Sequence, residues 1–308
     1  MKQINYREYF EQKVQALTDY VKKYNLKALI LGISGGIDST VCAAICHEVS
    51  KRIPVKVIGR SLPTRNNKEG EVTTADLVGK AFCDDFEVFS LSDLWEDVEN
   101  SFMRYESKPA TLISSGNIQA RLRMIYLYNI ASIYKGIVID TDNLTEHNLG
   151  YFTIHGDQGD VNPIGDLWKT QVFELAEWIL SHYSFQLPHN MYEATAEQLE
   201  KAGKVFQQGR AIKESLKLKP TAGLGITNND LEEIGAESYE QVDSILREIL
   251  AWKRLATERR DLPEDLNEQK EMFLDEQQML NIPIEIIIKV VDRHFASEFK
   301  RKQMPIRL

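Results

Sequence analysis

No stretch of 18 or more apolar residues occurs in this 308-residue chain, so no segment is suited to cross a bilayer as a helix. The opening residues, MKQINYREYFEQKV, lack the apolar core of a secretory signal peptide. Cysteine is scarce: Cys42, Cys46 and Cys83 cannot form a paired disulfide framework, and they suit a reducing, cytoplasmic compartment. Basic charge is in deficit, with 37 Lys and Arg against 46 Asp and Glu, for a net charge of −9. That balance disfavours a nucleic-acid surface. It does not exclude anionic nucleotides, because a local nest of backbone amides holds phosphate within an acidic protein. Repeats, low-complexity tracts and CxxC pairs are also missing, which argues against a solenoid and a thiolate zinc site.

What is present is an alternation. Residues 6–24 have helical apolar spacing, and 27–33 form a short apolar run that reads as a buried parallel strand. Helix follows to about Val49, then strand near Val55–Ile58, helix near Glu71–Phe82, and strand near Phe86–Phe89. A long helix over Ser115–Tyr134 precedes a strand at Gly136–Asp140. Strands alternating with helices predict a three-layer α/β/α arrangement around a parallel sheet of about five strands. Residues 151–168, rich in Gly, Asp, Asn and Pro, read as an ordered functional loop. Residues 204–230 read as a hinged lid. Helix returns at about Lys169–His182, and the last 70 or so residues read as helical, making a helical C-terminal part.

The strongest local signal is strand, then Ser34-Gly35-Gly36-Ile37-Asp38-Ser39, then helix. Glycines at 35 and 36 let backbone amides approach a phosphate, and the helix N-terminus supplies a positive end. Ser34 and Ser39 add hydroxyls. Asp38 beside phosphates is repulsive unless a cation intervenes, and Mg²⁺ is the natural one. The alternative is a tight turn in which Asp38 or Ser39 caps the helix. The loop is not GxxxxGK[ST], so the usual kinase or GTPase reading fails.

This loop resembles that of the N-type ATP pyrophosphatases, which adenylate an oxygen and release pyrophosphate. Further segments resemble the NAD synthetases among them. Gly116-Asn117-Ile118-Gln119-Ala120-Arg121-Leu122-Arg123-Met124 is similar to their GNxxAR.RM segment, with Asn117 and Arg121 four apart on one helix face. Asp140-Thr141-Asp142-Asn143-Leu144-Thr145-Glu146 resembles GT(D/N)xxE, with Asp140 in place of Gly. Asn143 and Thr145 could equally cap a helix there. His155 to Ile164 resembles YGDGGxDxxPL, with Gln158 for a glycine and His155 for an aromatic. Lys169, Lys219-Pro220-Thr221-Ala222 and Lys300-Arg301 extend the likeness, though Gly223 and Phe299 depart from it.

The resemblance implies an adenine nucleotide alpha-hydrolase-like fold in one domain over 1–308, with helical extensions at about 183–215 and 250–308. It implies an ammonia-dependent ligase that makes NAD from deamido-NAD and ATP. ATP would be held by Ser34, Gly35, Gly36, Asp38, Ser39, Arg60, Thr141, Lys169 and Thr221. Deamido-NAD would be held by Asn117, Arg121, Asp157, Asp160 and Lys300, and Mg²⁺ by Asp38 and Glu146. Asp157 and Lys169 would be catalytic, with Asp157 binding ammonium and taking its proton. A homodimer is implied. Roughly 26 residues precede the first core strand, too few for a glutaminase domain. The expectation is free ammonia, with a separate glutaminase possible but not indicated, and no nucleic-acid or membrane partner. Two rivals stand beside this reading. One is a tRNA-modifying adenylating enzyme, betrayed by salt-sensitive tRNA binding. The other is a nucleotide sensor, betrayed by binding without turnover.

Overall fold

The structure is a computed structural model that describes residues 4–105, 109–182, 195–221, 229–276, 281–301 and 306–307. Helix α1 (Tyr6–Tyr24) forms because Phe10, Val14, Leu17 and Val21 recur at helical spacing and are buried together. Asn5 caps its start, and Asn25 ends it in the left-handed conformation. Then come β1 (Ala28–Gly32), α2 (Ile37–Arg52), β2 (Lys56–Ser61), α3 (Glu69–Phe82) and β3 (Asp85–Val88). Helices α4 (Ser92–Tyr105) and α5 (Leu112–Tyr134) lead to β4 (Gly136–Val138), α6 (Leu144–Leu149), β5 (Val161–Asn162) and α7 (Lys169–His182). The remainder is α8 (Ala196–Lys217), α9 (Asp230–Ile234), α10 (Tyr239–Arg259), α11 (Leu266–Glu276), α12 (Ile284–Ala296), α13 (Glu298–Arg301) and β6 (Ile306–Arg307).

The main sheet is parallel, in the order β3-β2-β1-β4. It has four strands rather than five. β5 joins it only through the bridge between Ile139 and Val161, and pairs mainly with β6. Successive residues of β1 point to opposite faces. Leu29 and Leu31 enter a core with α1, α2, α3, α7 and α8, whereas Ala28 and Ile30 enter a second core with α4 and α5. Both faces of the sheet are thus covered, the three-layer arrangement expected of parallel strands.

Two findings revise the C-terminal expectations. Residues 204–217 are not lid but the end of α8, whose Ala211 and Ile212 are buried in the core shared by α2 and α3. Residues 222–228, which include Ala222 and Gly223, lie outside the described residues, as do Met304 and Pro305. Helices α10, α11 and α12 build a third core, and Leu149 and Trp168 belong to it. That core therefore abuts α6 and the start of α7.

The chain runs from β1 to β2 on one side, then returns to place β4 on the other. β1 is the point where strand order reverses, and a crevice opens beyond its C-terminal end. Gly35 shows how tightly this end is packed. Its φ is +85°, and an added Cβ would stand 2.5 Å from the Glu71 carbonyl and 2.8 Å from the Ala75 amide. The glycine is demanded by α3 as much as by the turn. Gly35→Ala is expected to lower unfolding free energy by roughly 2–4 kcal/mol, read by urea titration. A loss under about 0.5 kcal/mol would mean that α3 shifts freely.

Candidate active site

The loop after β1 is braced before any ligand is considered. The Ser34 hydroxyl accepts the Gly36 amide and lies 3.0 Å from the Ser39 hydroxyl, which donates to the Gly36 carbonyl. Thr40 donates to the same carbonyl and meets Ser215 of α8 at 2.7 Å. The N-cap of α2 is Gly36, and no side chain caps it. Its first-turn amides therefore point unopposed toward the crevice, an arrangement suited to an anion. Ser34, Gly36, Asp38 and Ser39 line a cavity of about 480 Å³ there. Gly35 does not line it and acts through backbone shape.

Facing the loop is a buried ion cluster. Lys169, the first residue of α7, is 2% exposed, and its ammonium lies 2.5 Å from Asp38 and 2.9 Å from Glu146. Asn143 donates to the other Asp38 oxygen at 2.8 Å. Asn143 also caps α6, with Glu146 closing a reciprocal capping box. Both readings of that segment therefore hold: Asn143 caps a helix, and Glu146 is turned into the crevice. Asp38 and Glu146 present oxygen ligands alone, the donor type that Mg²⁺ prefers. Among the described residues no group of three His, Cys, Asp or Glu is placed to hold a metal. A metal at this pair would have to complete its shell with phosphate oxygens and water.

Lys169 is positioned from behind. Its backbone amide donates to Thr145, and the next amide, of Thr170, donates to Asp243 of α10. Thr145 also donates to Asp243, which is 1% exposed. Two orphan amides of the α7 start are thus satisfied by side chains from other elements. Tyr239 of α10 places its ring 5.6 Å from the Lys169 ammonium and donates to Asp230. Nothing local in the sequence signals Asp243, Tyr239 or Asp230, because each lies more than 60 residues after Lys169 in the chain.

The other expected residues divide. Thr141 lines the cavity. Arg60 lines it too, but its guanidinium is held by Asp85 at 2.8 Å and its buried Nε has no partner. Thr221 donates to Glu71 at 2.7 Å. Asn117 accepts from Thr153, and Lys300 donates to the Gly150 and Phe152 carbonyls, so both hold the wall formed by 150–153. Asp157 accepts twice from the Thr153 amide and lines the cavity. Two expected residues are placed outside the cavity lining. Asp160 points away, accepting from the Val138 amide and the Tyr128 hydroxyl, because it ties its loop to β4 and α5. Arg121 is exposed and reaches the Ile154 carbonyl outside the cavity lining. Arg123, left aside as a site residue in the sequence, lines the cavity instead.

The carboxyls of the crevice are perturbed together. Burial pushes Asp157 up to about 6, against the Thr153 hydrogen bonds and the charges of Lys300, Arg123 and Arg121. Burial lifts Glu146 to about 7, against the pull of Lys169. Asp140 rises to about 7, again mainly through burial. Asp142 is raised well above the carboxylate range by burial and by Asp140, Asp157, Glu146 and Asp38, and its buried Oδ2 has no hydrogen-bond partner. Burial opposes the Lys169 charge, but Asp38 and Glu146 outweigh it and hold the group well above its ordinary value.

These raised carboxyls destabilise the fold as they ionise. Between the ordinary carboxylate range and about 7, the folded chain keeps protons that the unfolded chain has released. Stability should therefore fall as pH rises through that window. Asp142→Asn breaks no hydrogen bond of Oδ2 and removes one ionising group. Measured without nucleotide or divalent cation, it should raise the urea midpoint at pH 8 and leave it unchanged at pH 3. An equal gain at both values would show that Asp142 charge is not the cause.

The geometry can be set beside known proteins. The NAD synthase family model matches residues 9–304. The chain is 31% identical over 227 residues to the NH₃-dependent NAD⁺ synthetase of Methanococcoides burtonii, covering 73% of each chain. It is 28% identical over 303 residues to that of Methanocaldococcus jannaschii, covering 97% of each. Among solved structures, NMN synthetase from Francisella tularensis matches with a TM-score of 0.69 and 26% identity over 97% of both chains. NH₃-dependent NAD synthetase from Campylobacter jejuni matches with a TM-score of 0.61 and 22% identity, covering 99% of this chain and 100% of that one. The last likeness is one of fold.

Proposed function

The chain belongs to the NAD synthase family, and we propose that its crevice joins ATP, a pyridine-carboxylate nucleotide and ammonia to make the corresponding amide, with deamido-NAD as the nucleotide. It is then a carbon–nitrogen ligase acting at the last step of NAD formation. The observation that carries the reading is the uncapped α2 N-terminus, whose first-turn Asp38 is gripped by the Lys169 ammonium with Glu146 on its other side.

The chemistry follows from charge. A carboxylate is a poor acyl donor to ammonia, because oxide would have to leave. Its oxygen attacks the ATP α-phosphorus, the Pα–O bond to the β-phosphate breaks, and pyrophosphate departs with the electron pair. Ammonia then attacks the acyl carbon, the C–O bond to AMP breaks, and a base takes the surplus proton. No protein nucleophile is needed. The protein aligns two anions and neutralises their charge. The α2 amides and Lys169 face the phosphates, with Thr141 beside them. Arg60 and Thr221 require exchange of their present partners, Asp85 and Glu71, to reach a nucleotide. Mg²⁺ held through Asp38 and Glu146 would supply further neutralisation. Asn117, Lys300 and Asp157 shape the second substrate's wall, and Asp157, held near neutrality, suits the proton-accepting role.

A second substrate reading rests on one observation. The Francisella protein, matched over 97% of both chains, is named for NMN rather than NAD. The substrate would then be the mononucleotide deamido-NMN. Pyrophosphate release from ATP with ammonium and Mg²⁺ should be measured with each pyridine nucleotide. Faster turnover per KM with deamido-NAD is expected. Release with deamido-NMN alone moves the reading to the mononucleotide, and release with neither removes the ligase.

We also propose that a second copy of the chain covers the outer face of α5. Ile125 and Ile133 are 66% and 69% exposed there, two large apolar side chains standing in water on the side of α5 away from the sheet. Ile125→Glu with Ile133→Glu should convert a dimer to a monomer in sedimentation velocity. A wild-type monomer at micromolar concentration would end the proposal.

A further inference from the structure

Helix α5 turns one stripe toward the interior. Gly116, Ala120, Leu127 and Ile130 recur there at helical spacing, and all are buried. Arg123 occupies the middle of that stripe, three residues after Ala120 and four before Leu127. Arg121, two residues earlier, projects from the opposite side and is exposed. A guanidinium on an inward stripe is costly unless charge answers it. Here only neutral groups do. Nε donates to the Leu62 carbonyl at 3.1 Å, and Nη2 donates to Asn67 Oδ1 at 3.3 Å. No ion pair to a carboxylate is formed by Arg123 among the described residues.

The position is also central. Arg123 lines the crevice with Asn67, Asn117 and Asp157. Asn67 donates in turn to Glu71, which accepts the Thr221 hydroxyl. Asp157 belongs to the wall assigned to the pyridine nucleotide, and Glu71 to the α3 end beside the phosphate loop. Both carboxylates act on the Arg123 charge from a distance, against the burial that disfavours it. The guanidinium therefore stands between the two halves of the crevice with donors to spare and no counter-charge of its own.

We propose that Arg123 is an anion-binding residue of the site, pairing with an oxyanion of a bound nucleotide where the two substrates meet. This rests on the nucleotide reading above. A phosphate oxygen of ATP and an anionic oxygen of the pyridine nucleotide offer the same chemistry, a flat pair of oxygens suited to a guanidinium fork. Ala120, Met124 and Leu127 line the crevice beside Arg123, so its guanidinium is the charged group that this stretch of α5 offers a ligand.

The test is equilibrium binding by isothermal titration of ATP and, separately, of deamido-NAD, for wild type, Arg123→Met and Arg123→Lys. Thermal midpoints are recorded in parallel. In Arg123→Met one dissociation constant should rise about 10- to 100-fold, the range expected for one lost charge-assisted hydrogen-bonded contact. Arg123→Lys should restore part of it. A rise for ATP alone identifies a phosphate partner, and a rise for deamido-NAD alone identifies the pyridine nucleotide. The midpoint of Arg123→Met should be no lower than wild type, since a costly buried charge has been removed. Unchanged binding of both nucleotides overturns the proposal. So does weakened binding accompanied by a midpoint drop that Arg123→Lys does not relieve, which is the signature of a structural role. Wild-type pyrophosphate release is followed separately, so a failed ligase reading is distinguishable from a failed Arg123.

Discussion

One ammonium buried between two carboxylates sets the terms for the rest of this protein. Lys169 starts α7, Asp38 lies in the first turn of α2, and Glu146 lies in the first turn of α6. Three helix starts must therefore converge within a few ångströms. Each buried charge carries a desolvation cost, and the trio is tolerable only if geometry keeps all three together. The sheet provides the first half of that geometry. β1 and β4 are neighbours with Ile30 opposite Val138, so the segments that leave them emerge side by side. Asn143 then bridges the gap, capping α6 while donating to Asp38.

The other half comes from the C-terminal helices. The residue before α7 is Trp168, whose side chain cannot accept the amides that follow. Thr145 and Asp243 accept them instead. Asp243 is itself fixed on α10, whose Val242, Ile245 and Leu246 are fully buried in the third core. The residues after 230 therefore do structural work at the reacting end of the crevice. Ser215 does something similar from α8, since its bond to Thr40 registers that helix against the phosphate loop. Material that looks appended in sequence is packed directly behind the charges.

Much of this was legible from local pattern. The apolar run at 27–33, the Gly35-Gly36 turn and the polar residues after it announce a strand, a tight turn and a helix, and the chain folds that way. Glu146 was legible because it follows a strand at fixed spacing, and the strand's neighbour is β1. What was not legible shares a cause. Motif position names Arg121 and Asp160, but it does not say which way a side chain faces. The burial stripe of α5 does say so for Arg123: Gly116, Ala120, Leu127 and Ile130 already define the inward face in sequence. Asp160 could not be placed in this way, since its partners, Val138 and Tyr128, lie 22 and 32 residues away. Asp243 and Tyr239 were invisible for the same reason. The two-residue β5 lay within the segment read as an ordered loop, because its pairing partners, Ile139 and the β6 residues Ile306 and Arg307, are distant in sequence.

The balance of charge in the crevice constrains how a nucleotide can enter it. Asp38, Asp142, Glu146 and Asp157 all border the cavity, and Asp140 lies immediately behind. Lys169 answers two of them and is fully committed in doing so. A bare triphosphate approaching the α2 N-terminus would add several negative charges beside carboxylates that already resist ionising. The helix dipole contributes only about half a unit charge, too little to offset that repulsion. A divalent cation arriving with the phosphates would reverse the sign of the interaction, since Asp38 and Glu146 would then serve as its oxygen ligands. It would also lower the proton affinity of Asp142, which burial and four neighbouring carboxyls otherwise hold protonated. Under the proposed reaction, metal binding, nucleotide binding and the release of that proton would then be linked at one place.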